Sequence, residues 1–261
     1  MLFRSPRALR ETWRVGSYSG LVHGSTHESA AQDRDARAPS AELPSPAQTP
    51  TDEDILSFPR GNRAGHCVHA VFENADFTSS DGWPRVIREA LMRHPPAPAS
   101  AADALHAAQL RRMLEDVTQT SLPPGFTLAS IPWSRRLVEW EFSLPSRQLD
   151  PMSLGRLLKR YGYPMPTLQF ATLSGYLRGF VDLIVEHDGR HYVMDWKSNH
   201  LGVTEADYEP AAVREAMAGN GYHLQHLLYT VALHRHLATR LPDYDYERHI
   251  DRKSTRLNSS H

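Results

Sequence analysis

The sequence predicts an α/β fold behind a disordered N-terminal linker. Three observations carry that expectation: a β-hairpin with an Asp-Gly turn in the second half of the chain, apolar residues at helical spacing on both sides of it, and a stretch near the N-terminus with almost no large apolar residue.

Taken in order, residues 1–24, with Trp13, Arg14 and Val15, read as the end of a preceding region. Residues 25–57 read as a flexible linker. Ser25–Asp54 is rich in Ala, Ser, Pro, Gln, Asp and Glu and buries too little apolar surface to offset the entropy of ordering. The folded domain is placed at residues 58–250, from about Phe58. Ala64, Val68, Val71, Phe72 and Ala75 mark an amphipathic helix over Ala64–Asn74. Trp83–His94 and Ala102–Gln119 follow as helices, separated by the helix-breaking Pro95–Pro98 segment. Leu137–Leu144 reads as a strand and Met152–Arg160 as a short helix. After the hairpin, helices are expected over Glu205–Ala218 and Tyr222–Arg240, and Tyr244–Glu247 reads as the beginning of another strand. Residues 251–261 read as the translation of a common sequencing adapter. The native chain is therefore expected to continue past Ile250, with Met1 an artefactual start.

Composition narrows the function. The net charge of −1 supplies no global basic field, so any DNA contact has to come from local Arg clusters and a metal. Cys67 is the single cysteine, which excludes a disulfide framework, a Cys₄ zinc site and an iron–sulfur cluster built from this chain alone. No apolar run is long enough to span a bilayer, Met1–Gly20 lacks the core of a signal peptide, and the composition fits the cytoplasm.

The hairpin carries the chemistry. Leu177–Glu186 and His191–Lys197 are rich in β-formers around Asp188-Gly189, and a two-residue turn there pairs His187 with Arg190 and Val185 with Tyr192. Asp182 then falls opposite Asp195. One face carries Val181, Leu183, Val185, Tyr192, Met194 and Trp196 and reads as core, while the other carries Asp182, Ile184, Glu186, His191, Val193, Asp195 and Lys197. Opposed side chains have Cβ atoms roughly 4.5–5.5 Å apart, where like charges destabilise unless a cation neutralises them. A few hard carboxylate oxygens, with room left for water and phosphate, suit Mg²⁺. Lys197, diagonal to such a site, is placed to hold a nucleophilic water or the scissile phosphate. An ordinary hairpin with two solvated Asp and a surface Lys is the plain alternative. Ile184 and Val193 argue against it by covering the acidic face. So does the lysine itself, since the chain writes nearly all its cations as Arg and has only Lys159, Lys197 and Lys253.

These segments together resemble a known family. Gly65-His66-Cys67-Val68-His69, Glu139-Trp140-Glu141-Phe142, Gly179-Phe180-Val181-Asp182, Met194-Asp195-Trp196-Lys197-Ser198-Asn199 and Leu224-Gln225-His226-Leu227-Leu228-Tyr229 are individually weak motifs, but their order and spacing are specific. The stretch from about Phe58 to His249 resembles the C-terminal nuclease domains of RecB-type subunits of exodeoxyribonuclease V, in the PD-(D/E)XK superfamily. The resemblance implies a restriction-endonuclease-like central mixed sheet flanked by helices. It implies His69, Asp182, Asp195 and the Trp196 carbonyl as metal ligands, Lys197 as catalytic lysine with the two Asp, and Mg²⁺ as cofactor. It further implies Glu141 as an outer carboxylate, and Gln225 and Tyr229 on a helix that borders the site and DNA. By spacing alone Glu139 shares Glu141's face, so either is a candidate. A lone histidine on a helix is more often structural than a ligand. Gly65 one turn before His69 and Glu73 one turn after set this one apart.

The implied activity is Mg²⁺-dependent DNA phosphodiester hydrolysis within a helicase–nuclease of double-strand-break repair and recombination, with RecC-like and RecD-like partner subunits. The chain has no P-loop motif, so the motor and its ATP site lie outside it. Related nucleases with a four-cysteine iron–sulfur cluster do not fit a chain with one cysteine. The rival from another class is a catalytically silent DNA-binding or subunit-docking module on a nuclease fold.

Overall fold

The computed structural model describes residues 13–23, 54–96, 103–123 and 125–251. Most of the expected linker, the first twelve residues and the expected adapter-derived tail from residue 252 lie outside the described residues.

The described chain runs through β1 (Arg14–Gly16), α1 (Tyr18–His23), α2 (Asn62–Asn74), α3 (Trp83–Arg93), α4 (Asp103–Gln119) and β2 (Arg136–Leu149). It continues through α5 (Pro151–Arg160), β3 (Leu173–His187), β4 (Arg190–Met194), α6 (Pro210–Gly219), α7 (Tyr222–Arg240) and α8 (Tyr246–His249). The sheet is mixed, as the resemblance implied. β3 is its axis, antiparallel to β2 along one edge, with β1 parallel to residues 175–177 and β4 antiparallel to residues 183–187 on the other.

Local chemistry explains the ends of these elements. Asp188 and Gly189 both take positive φ, 49° and 74°, the combination a type I′ hairpin turn requires. The turn fixes His187↔Arg190 and Val185↔Tyr192, the predicted register. Asp150 caps α5 by accepting from the Ser153 N–H, with Pro151 in the first turn where its missing donor is harmless. The expected helix over Glu205–Ala218 is two pieces, because Pro210 ends a 3₁₀ turn at Glu205–Tyr208 and starts α6. Tyr244–Glu247 does not start a strand. Asp245 accepts from the Arg248 N–H and caps α8, and pairing is extended by an isolated bridge from Ile250 to His191.

Two apolar layers sandwich the sheet. Leu183, Val185 and Tyr192 pack with α2, α3 and α4 through Val71, Phe72, Ile87, Leu110 and Leu114. Val181, Ile184 and Val193 pack on the other side with Leu233 and Leu237 of α7 and with Ile250. Val181 was expected on the Leu183 face. It faces α7 because the ladder turns over at the next residue, where Glu139 of β2 has φ 49° opposite Asp182.

The region before the linker revises the expected boundary at Phe58. β1 joins the sheet, and α1 buries Tyr18, Leu21 and Val22 against α5, α7 and β3. Gly175, at φ 142°, permits this approach, since a Cβ there would collide with the Arg14 backbone. No described helix is long and apolar enough to cross a membrane.

If Arg14–His23 is part of this domain, Leu21→Ala removes a fully packed side chain and destabilises by about 2–5 kcal/mol. For a domain of this size the melting temperature then falls by at least about 4 °C. An unchanged melting temperature in a thermal scan would detach β1 and α1 from the domain.

Candidate active site

The site forms where the hairpin ladder stops. Pairing between β3 and β4 ends at Leu183↔Met194, one rung before Asp182 and Asp195. In place of the next ladder hydrogen bond, the Trp196 N–H donates to Asp182 Oδ2 at 2.7 Å. Packing on α2 diverts the chain here. The Trp196 ring stacks on Phe72 with centroids 4.3 Å apart. Two turns back on the same helix, Gly65 admits Ser198, whose Oγ would stand 2.8 Å from a Cβ at that position. Gly65, one turn before His69, is thus where the chain beyond Lys197 meets α2.

Around this corner the sequence-predicted residues converge. His69 Nδ1 stands 3.6 Å from Asp182 Oδ2. Lys197 Nζ is 2.7 Å from Asp195 Oδ2 and 4.3 Å above the centre of the Tyr222 ring, so it is held by an ion pair and a cation–π contact at once. Gln225 Nε2 donates to the Tyr229 hydroxyl at 2.7 Å and lies 3.5 Å from Asp195 Oδ1. Gln225 and Tyr229 are buried, and the Gln225 amide, held by Tyr229, braces Asp195.

Glu141 is not brought to the site. Its carboxylate is engaged by Arg178 on the exposed surface. Of these two glutamates it is Glu139, at a left-handed backbone position, whose charge Asp182 feels, after that of Asp195. Strand alternation alone could not separate these two residues. Tyr222 was missed as well. It sits one turn before Gln225 on α7, orients Lys197, and donates its hydroxyl to Asn199 Oδ1 at 2.8 Å. Phe72 was placed in the helix core, without its role under Trp196.

Electrostatics define what the corner lacks. Asp182 is 13% exposed. Burial, and after it the charge of Asp195, push its carboxyl well above the ordinary carboxylate range. The Trp196 N–H and Lys197 oppose the rise and Glu139 adds to it. With Asp182, Asp195 and Glu139 ionised, three negative charges gather beside the ammonium of Lys197. A divalent cation offsets those charges. Among the described residues no three His, Cys, Asp or Glu side chains already surround one point. A cation at the Asp pair would therefore complete its shell with water and phosphate oxygens, which fits Mg²⁺ better than a closed structural site. A cleft of about 250 Å³ beside α4, lined by Asp54, Arg112, Met113 and Tyr208, shares no residue with this corner.

A mixed sheet with a half-buried Asp pair and a lysine at the broken end of its hairpin defines a nuclease of the PD-(D/E)XK kind. The PD-(D/E)XK nuclease superfamily matches residues 47–252, and the chain belongs to it. Among curated proteins the chain is similar to the RecBCD enzyme subunit RecB of Escherichia coli (strain K12), with 35% identity over 258 residues, 92% of this chain and 20% of that protein. The RecB subunits of Haemophilus influenzae and Mycobacterium tuberculosis (strain CDC 1551 / Oshkosh) are 30% and 34% identical, over 92% and 94% of this chain and 21% and 25% of their own lengths. The chain thus spans about a fifth to a quarter of the length of these relatives.

The raised Asp182 carboxyl has a stability consequence with a definite sign. A folded-state value above the unfolded one means that the folded protein binds more protons. Metal-free stability therefore falls as pH rises from the ordinary carboxylate range near about 4 up through the raised value. Asp182→Asn removes this slope and keeps an oxygen for the Trp196 N–H, so its metal-free melting temperature at neutral pH exceeds wild type by at least about 2 °C. Parallel pH–melting curves for the two proteins would show that the pair is not strained.

Proposed function

We propose that the chain hydrolyses DNA phosphodiester bonds with Mg²⁺, as the nuclease portion of a RecBCD-type helicase–nuclease. It would act in double-strand-break repair and recombination in the cytoplasm, beside RecC-like and RecD-like subunits. The half-buried Asp182–Asp195 pair with Lys197 held on Asp195 carries this reading. The RecB relatives support the setting.

His69, Asp182, Asp195 and the Trp196 carbonyl are the groups that would hold the cation. When bound it supplies Lewis-acid polarisation of the phosphate and a lower pKa for water. Lys197 has little freedom between Asp195 and the Tyr222 ring, so its ammonium is pre-oriented to position the attacking water or to stabilise charge growing on the phosphate. Gln225 and Tyr229 hold Asp195 in one orientation, and the Phe72–Trp196 stack fixes the backbone between Asp195 and Lys197. No side chain is needed as a covalent nucleophile. Supply of strand by a motor outside this chain is compatible with a net charge of −1.

Linear single-stranded DNA incubated with the full chain is expected to be cut in Mg²⁺ and not in EDTA. Asp195→Ala and Lys197→Ala should each lower the rate by about 10²-fold or more. A folded wild-type protein that binds DNA equally with and without Mg²⁺ and never cuts it would be a silent module on a nuclease fold.

A further inference from the structure

We infer that the open face of β3 is a stacking platform for single-stranded DNA, along which a strand lies to reach Asp182 with its bases against Phe180, Arg178, Tyr176 and, at the outer end, Trp13. The inference rests on the nuclease reading above and adds to it a substrate path.

Alternate residues of a strand share a face. In β3 one set, Leu173, Leu177 and Val181, is buried against α1 and α7. The other set runs Tyr176, Arg178, Phe180 and Asp182, so the row ends on a catalytic carboxylate. Its neighbours on β2 are Pro145 beside Tyr176, Ser143 beside Arg178 and Glu141 beside Phe180, all exposed. On the opposite edge Val15 pairs with Tyr176, and the Trp13 ring lies 5.8 Å from the Tyr176 ring. Trp13 is 67% exposed and Tyr176 42%. Neither ring, nor that of Phe180, belongs to a packed apolar cluster among the described residues.

Spacing and charge select the occupant. Side chains two residues apart on a strand stand roughly 7 Å apart, about twice the ~3.4 Å rise between neighbouring bases of one DNA strand. Bases at successive positions on this row are therefore unstacked from one another. A single strand allows that and an intact duplex does not. Arg178 sits over the edge of Phe180, its guanidinium 5.8 Å from the ring centre, and is held there by Glu141. Glu141 next to the row disfavours phosphates against the sheet, so bases face the protein and phosphates face solvent. Aromatic rings with an interleaved Arg bind single strands in this way without sequence preference. Stacking also lets a chain of net charge −1 hold a polyanion without a basic groove.

The test uses the full chain in EDTA, so that nothing is cut, with fluorescein-labelled oligothymidylate as probe and anisotropy as readout. Trp13→Ala, Tyr176→Ala and Phe180→Ala are each expected to weaken binding roughly five- to tenfold or more, the effect of losing one stacking ring. Tyr176→Phe keeps the ring and should bind as wild type, and so should Met92→Ala, an exposed apolar change on α3. Oligothymidylate annealed to oligodeoxyadenylate should bind more weakly than the single strand. Ring variants that melt and bind like wild type would overturn the platform, as would Tyr176→Phe binding no better than Tyr176→Ala, or equal affinity for the duplex. Such a face would belong to a protein partner instead. Mg²⁺-dependent cutting by wild type is scored separately. Cutting with unchanged ring-variant binding sinks the platform alone, and ring-dependent binding without cutting sinks the nuclease reading alone.

Discussion

Burying Asp182 beside Asp195 is the constraint around which this end of the molecule is organised. Each unit by which a carboxyl is displaced from its ordinary pKa corresponds to about 1.4 kcal/mol of differential interaction. The displacement here is upward, so the ionised pair works against folding. Lys197 returns a charge at Asp195 and the Trp196 N–H a hydrogen bond at Asp182, and the Asp182 carboxyl still stands above its ordinary range. Apolar packing elsewhere holds the carboxylates in place. The Phe72–Trp196 stack and the two layers around Leu183 and Val181 fix the backbone on both sides of Asp182. A strained site supported by an ordinary core is the expected arrangement where function, not stability, selects the residues.

The edge of β3 opposite β2 is shared between two strands that do not meet. β1 covers residues 175–177 and β4 covers 183–187, so residues 178–182 pair with neither. The break lets the chain after β4 swing toward α2 and bring Lys197 over Tyr222, which a continuous ladder would prevent. The same break, with the turned backbone at Glu139, puts Asp182 at the end of an open sheet face. The approach of Lys197 to Asp195 and the position of Asp182 thus follow from one local interruption of pairing.

What the sequence revealed and what it hid divide along sequence separation. The Asp-Gly turn, the register it sets, and the Asp182, Asp195, Lys197 set are consequences of neighbours within about twenty residues, where the period of a strand and the geometry of a turn decide. Helices α2, α3, α4, α5 and α7 were legible from their periodicity to within about two residues at each end. β1 was not legible. It is three residues long, and its partner Gly175 lies far along the chain, so only tertiary packing identifies it. The choice between Glu139 and Glu141 depended on a positive φ at a non-glycine residue, for which composition and spacing carry no signal. Tyr244–Glu247 failed as a strand because the Asp245 cap outweighed the β propensity of two tyrosines.

Calorimetric titration of the metal-free full chain with Mg²⁺, beside Asp182→Asn and Asp195→Asn, tests the carboxylate pair most directly. A site that exists to hold a divalent cation binds Mg²⁺ in wild type with proton release, since Asp182 must ionise, and loses that binding in both variants. Equal Mg²⁺ binding by all three proteins, or none by folded wild type, would contradict a metal centre at this corner.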